Sequence, residues 1–110
     1  NQITQAKTKK ALLLNQFSIA GFQFYQGRDI IRQIKPGDEL FIKAEPDNDY
    51  DQYAVEIYYK NNKLGYIPKN ENKTIRNILH SDVKLYATVD KVNAGKRAWD
   101  AVQVSVFMVV

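Results

Sequence analysis

The chain has 110 residues, 45% of them hydrophobic, with no cysteine, one histidine and a formal net charge of +4. A chain of this length supports one compact domain with its own core. The lack of cysteine excludes a disulfide framework, a thiolate nucleophile and a zinc knuckle, and the single histidine, His80, excludes a multi-histidine metal site.

The mild positive charge permits a polyanionic partner without requiring one. Lys7, Lys9 and Lys10 precede the apolar Ala11–Leu14 run. That run is far too short for a signal segment, and the longest apolar stretch, Val102–Val110, falls short of the ~20 residues that cross a bilayer. No membrane partner is expected, and the expected location is cytoplasmic. Residues 1–11 form a lysine-containing tail with no hydrophobic period, expected to be poorly ordered, and residues 12–110 form a single domain.

In chain order, Leu12–Tyr25 is apolar and aromatic, with Gly21 marking a bend or a close backbone approach. Phe24 and Tyr25 would alternate across that strand, one facing the core. Gly27–Gln33 fits a short helical turn with Ile30, Ile31 and Ile34 inward. Lys35-Pro36-Gly37-Asp38 is a turn, because proline presets φ and glycine accepts a positive one. Glu39–Glu45 is a strand with Leu40, Ile42 and Ala44 on one face, followed by a polar loop to Tyr53. Ala54–Lys60 and Lys63–Ile67 form a hairpin around Asn61-Asn62, ended by Pro68. Asn70 is placed to cap a helix over Glu71–His80, with Ile75, Ile78 and Leu79 on one narrow face. His80, near the C-terminal end of that helix, reads as structural. Val83–Val92 alternates, Asn93–Lys96 turns at Gly95, and Val102–Val110 closes as an alternating strand. Six short strands with one or two short helices predict a mainly β (α+β) fold, a small antiparallel β-barrel or curled sheet carrying a helix.

The segment Glu45-Pro46-Asp47-Asn48-Asp49-Tyr50-Asp51 places four carboxylates within seven residues. Asp47, Asp49 and Asp51 have the alternation of a calcium loop. However, Gln52 stands where its glycine belongs, and Tyr58 where its bidentate glutamate belongs. A carboxylate pair for glycoside hydrolysis finds no other support. Asp, Asn and Pro also make ordinary solvated turns.

The loop does not stand alone. Ile19-Ala20-Gly21-Phe22-Gln23-Phe24-Tyr25, then Leu40-Phe41-Ile42-Lys43-Ala44-Glu45-Pro46-Asp47-Asn48-Asp49-Tyr50-Asp51, then Ala54-Val55 and Leu64-Gly65-Tyr66-Ile67-Pro68 resemble the HIRAN domain in order and spacing over about residues 17–110. The resemblance implies an OB-like barrel that binds single-stranded DNA and recognises a free 3′ hydroxyl end, without catalysis or a cofactor. It also implies other DNA-processing proteins as partners, in the DNA-repair setting of eukaryotic fork-remodelling proteins. No phosphate-binding Gly-x-x-x-x-Gly-Lys-Ser/Thr loop is present.

On that resemblance the candidate nucleic-acid-binding residues are Gln23, Phe24, Tyr25, Asn48, Tyr50, Asp51, Tyr66, Lys69 and Trp99. Phe24, Tyr25, Tyr50, Tyr66 and Trp99 offer faces on which bases stack. Phe24 is the favoured surface contact of its pair, and Trp99 serves equally well as a packing anchor. Lys69 can meet a phosphate. Asn48 can hold the loop or bond a base, and Asp51 can accept from a 3′ hydroxyl or merely fix its turn. Gln23 departs from the arginine that family members often carry, and thereby lacks a phosphate-facing charge, while Tyr66 stands where some members carry histidine, a swap that stacking tolerates. A protein-interaction module on the same barrel is the alternative of another class. A small metal-dependent hydrolase is a third, and it lacks a visible nucleophile–base pair.

Overall fold

The computed structural model describes residues 11–95 and 100–110. Six strands, β1 (Ala11–Ser18), β2 (Glu39–Ala44), β3 (Val55–Tyr59), β4 (Asn62–Tyr66), β5 (Leu85–Val92) and β6 (Val102–Val109), form one antiparallel sheet in the order β1-β6-β5-β2-β3-β4. Two short helices, α1 (Gly27–Ile30) and α2 (Asn72–Leu79), complete the α+β fold. Among the described residues no helix is long and apolar enough to cross a membrane.

The period-two pattern sets the inner face. Leu40 on β2, Val55 and Ile57 on β3, Ala87 and Val89 on β5, and Val102, Val104 and Val106 on β6 are all buried. Slipping any of these strands by one residue would turn that set to solvent, so burial fixes the register. Ile75 of α2 is fully buried in the same core, with Leu79 packed against its margin. At the Pro36-Gly37 turn, Gly37 takes φ 91 and its N–H reaches Val89 O at 2.7 Å.

The sheet does not close along a full ladder. Its two edges, β1 and β4, meet just beyond β1 in one bridge. There Ala20 N–H donates to Tyr66 O at 2.8 Å and Tyr66 N–H donates to Ala20 O at 2.9 Å. Gly65 permits this approach. It has φ 148, and a Cβ there would lie 2.3 Å from Ala20 O.

Three local expectations are corrected. The Leu12–Tyr25 strand stops at Ser18, because Gly21 adopts φ 72 and the chain continues as a single 3-10 turn over Phe22–Phe24. Phe22, not Phe24 or Tyr25, therefore enters the core. Gly27 makes room for it, since a Cβ at 27 would stand 2.2 Å from the Phe22 ring. The hairpin turn falls one residue early: Tyr59 pairs with Asn62, and Lys60 takes φ 54. Asn70 does not cap α2. It lies in a 3-10 turn over Lys69–Glu71 that feeds into the helix, and Glu71 occupies the cap position without a side-chain cap bond.

The Gly65 contact predicts unequal costs for two glycine substitutions. Gly65→Ala should lose about 3 kcal/mol or more, from strain at positive φ and from the clash that opens the bridge. Gly37→Ala, where a Cβ meets nothing within 4 Å, should lose only about 1–2 kcal/mol of backbone strain. Urea denaturation of both variants checks the ordering, and equal losses would contradict the role given to the bridge.

Candidate functional site

The bridge places Tyr66 beside the Glu45–Asp51 loop, which hydrogen bonds of its own hold in shape. Asn48 Oδ1 accepts from Tyr50 N–H at 2.8 Å and from Asp51 N–H at 2.9 Å, while Asn48 Nδ2 donates to Glu45 Oε1 at 2.8 Å. Asp51 Oδ1 accepts from Tyr53 N–H at 2.8 Å. These are side-chain turns of the kind that Asn and Asp form with backbone two or three residues ahead. Asp51 Oδ2 accepts from Asn72 Nδ2 at 2.8 Å, which ties the loop to the first turn of α2. Asn72 is only 2% exposed, and Asn15 Nδ2 on β1 donates to neighbouring Glu71 Oε1 at 2.9 Å. Asp47 and Asp49 remain loop residues, and among the described residues no three acidic or histidine side chains gather as a metal site.

On the other side of the loop the polar contacts run back into the sheet. Tyr66 Oη donates to Glu45 Oε1 at 2.7 Å and accepts from Lys63 Nζ at 2.7 Å. Lys63 also pairs with Glu56 at 3.1 Å, and Tyr58 Oη donates to the same glutamate at 3.0 Å. Glu56 is buried, and this pairing makes its burial tolerable. Bonds from Asn48 and then Tyr66 hold the Glu45 carboxyl below its ordinary value, aided by the charges of Lys63 and Lys43 against a smaller opposing effect of burial. Burial, reinforced by the Glu45 contact, pushes the Tyr66 phenol up to about 12 although Lys63 opposes it, so the phenol stays protonated and donates. For Lys63, burial favours the neutral amine, but the bonds to Tyr66 and Glu56 outweigh it and raise its pKa.

A groove of about 370 Å³ opens between the loop and β4. Tyr25, Asn48, Tyr50, Asp51, Tyr66 and Lys69 all line it, so six candidates chosen from the sequence share one cavity. Ala20, Ala54, Ile67 and Asn72 supply the rest of its wall. Tyr50 stands at the rim, 91% exposed, on a backbone fixed by Asn48. Tyr25 lies beside Tyr66, with ring centroids 5.8 Å apart and planes tilted by 51°.

Gln23 and Phe24 are exposed on the 3-10 turn but do not line the groove. Phe24 is the more exposed of its pair, at 75% against 38% for Tyr25, yet Tyr25 is the one that faces the groove. Trp99 lies outside the described residues. Lys63, Glu56 and Asn72 escaped the sequence reading, and Glu45 was noted there only as part of the acidic segment. A lysine and a glutamate on short strands look like a solvated face, and only the pairing of β3 with β4 brings Glu56 and Lys63 together.

The same architecture occurs in solved structures. A crystal structure of a protein from Lactobacillus plantarum matches with a TM-score of 0.79 at 17% identity, over 92% of this chain and 97% of that one. The crystal structure of the HIRAN domain of human HLTF matches with a TM-score of 0.65 at 16% identity, over 90% of this chain and 78% of that one. No curated protein matches the sequence. The HIRAN domain model matches residues 13–110, which takes in every strand but the first two residues of β1, and the chain belongs to the HIRAN domain family.

Proposed function

We propose that this groove binds single-stranded DNA and seats its free 3′ hydroxyl end, so that the chain acts as a non-catalytic binding module. The convergence of Tyr25, Asn48, Tyr50, Asp51, Tyr66 and Lys69 on one cavity carries the proposal. Membership of a family known as a DNA-binding module supports it. Unpaired bases need flat aromatic faces, and three tyrosines surround the groove. A phosphate needs a cation, and exposed Lys69 is at hand. A terminal hydroxyl needs an acceptor. Asp51 spends one lone pair of each oxygen on Tyr53 and Asn72, and a carboxylate retains further acceptor capacity. The same charge repels a terminal phosphate. Anisotropy titrations of short single strands ending in 3′-OH or 3′-phosphate, at several salt concentrations, test the proposal. Binding that ignores the end, or that prefers duplex, defeats the end-reading part.

Tyr50 has almost no packing to lose, so Tyr50→Ala should leave the melting temperature unchanged and weaken single-strand binding by about 1–3 kcal/mol. Unchanged affinity in this folded variant would remove Tyr50 from the interface.

Asp51 has a structural and a ligand role to separate, and Asp51→Ala would confound them by losing both the turn and the Asn72 tether. Asp51→Asn keeps an acceptor for Tyr53 N–H, and Asn72 can turn its amide to meet the new one. The variant should therefore keep most of its stability. A charge-assisted bond is worth about 1.5–3 kcal/mol, so affinity for 3′-OH strands should fall roughly ten- to hundredfold, with little loss for 3′-phosphate strands. Equal losses for the two ends would assign Asp51 to the turn alone.

Acid should loosen the loop. Because the folded-state pKa of Glu45 lies below its ordinary 4.5, its stabilising contribution is complete above the unfolded value and is lost as pH falls through the folded one. Binding measured on acidification should weaken in that range. Glu45→Gln, which keeps an acceptor for Tyr66 and Asn48, should show a flatter acid limb. An identical acid limb in the variant would assign the titration to another group.

A further inference from the structure

We infer that Lys63 is a positioning residue of the groove, an internal counter-ion that fixes Tyr25 and Tyr66 as a stacking floor, and that it is not a phosphate contact. The inference rests on the groove being the nucleic-acid site proposed above. An ammonium has three N–H donors and no acceptor. Tyr66 Oη takes one at 2.7 Å and Glu56 Oε2 another at 3.1 Å. The nitrogen also lies 4.5 Å from the Tyr25 ring centroid, close enough for the third donor to face that ring. Every donor thus has a partner within the protein, and the side chain is only 19% exposed. A phosphate could reach this cation only by breaking the pair with Glu56 and leaving a buried carboxylate with the Tyr58 hydroxyl but no counter-ion, which is unfavourable.

The contacts show what Lys63 does instead. Its bond to Tyr66 holds the hydroxyl that also donates to Glu45, and Glu45 in turn holds Asn48. The cation therefore links the hairpin, the two tyrosine rings and the loop that carries Tyr50. With its hydroxyl committed on both sides, Tyr66 has its ring left to offer a ligand, and the Lys63 contact fixes the tilt of that ring against Tyr25. The Lys69 side chain, by contrast, is exposed and makes no hydrogen bond or ion pair among the described residues, so the phosphate role falls to it.

The test compares Lys63→Met with Lys69→Met, titrating a hexanucleotide that carries 2-aminopurine at its 3′-OH terminal position across a salt series. Stacking on the tyrosines quenches this base in the wild-type complex. Lys63→Met should bind about tenfold more weakly, leave the saturated complex brighter, and keep the wild-type slope of log affinity against log salt. Lys69→Met should keep the quenching and lose about 0.7 from that slope, the value for one phosphate contact on a single strand. Because Lys63→Met leaves buried Glu56 without a counter-ion, the double variant Lys63→Met/Glu56→Gln is measured as well. It removes the buried charge and should fold while showing the same brightness and slope.

A slope reduced by about 0.7 in either Lys63 variant would make Lys63 a phosphate ligand and overturn the inference, as would wild-type affinity and quenching in the folded double variant. A wild-type protein that binds no oligonucleotide would instead fail the proposed function itself.

Discussion

The two-residue bridge between Ala20 and Tyr66 is the constraint on which the groove depends. It joins opposite edges of a six-stranded sheet that no full ladder closes. An edge strand left open exposes a row of unpaired backbone groups, and here one pair of hydrogen bonds, possible only because residue 65 has no side chain, draws the edges together. The bridge also fixes Tyr66 against the segment that carries Tyr25. Immediately after Ala20, Gly21 takes a left-handed conformation that sends Phe22 inward and leaves Phe24 and Tyr25 outside. Closure of the sheet and placement of the aromatic floor are thus one event.

The regular part of the fold was legible because burial enforces a period. Leu40, Ile57, Val89 and Val104 each sit in an alternation that only one register satisfies. The turn at Gly37 was legible because Pro-Gly chemistry is local. The segment after Gly21 was misread because Phe22-Gln23-Phe24-Tyr25 has strand-like composition, and only the left-handed glycine and the room that Gly27 leaves for the Phe22 ring decide otherwise. Both are facts about packing at a distance. Asn70 has the local chemistry of a cap, but the 3-10 turn over Lys69–Glu71 carries the chain one residue further, so Glu71 takes the cap position and Asn72, in the first turn, is held by Asp51 from far along the chain. The candidate site was legible as a set of residues, since six of them meet in one groove, but not as a mechanism of support. Lys63 and Glu56 carry no signal until the strands are paired.

The acidic loop is better explained by its hydrogen bonds than by its charge. Glu45 gives one carboxylate oxygen to Asn48 and Tyr66, and Asp51 gives one each to Tyr53 and Asn72, so both acids build and anchor the loop. The other acids, Asp47 and Asp49, face solvent at a turn. A net-positive chain can therefore carry four carboxylates here without creating a metal site. On the proposed reading Asp51 is the carboxylate of the groove wall that meets a ligand, since each of its oxygens has acceptor capacity beyond its bond to Tyr53 or Asn72.

This division of labour bears on the kind of ligand the groove favours. Among the described residues that line the groove Lys69 is the one cation, exposed at the wall, while neighbouring Lys63 is consumed by Glu56 and Tyr66. A wall with a single described cation beside a carboxylate gains little from a polyanion as such, because backbone attraction grows with the number of phosphates neutralised. Its favourable contacts come instead from ring faces held at fixed tilt and from a loop whose backbone is already ordered. Preorganised aromatic groups lose little entropy on binding, which favours the Tyr25 and Tyr66 rings, while Tyr50 is fixed only at its backbone and must order its side chain. If the groove is the single-strand site proposed above, this balance favours a terminal nucleotide held by its base and sugar over a long charged backbone, with the Asp51 carboxylate as the group that would tell a hydroxyl from a phosphate.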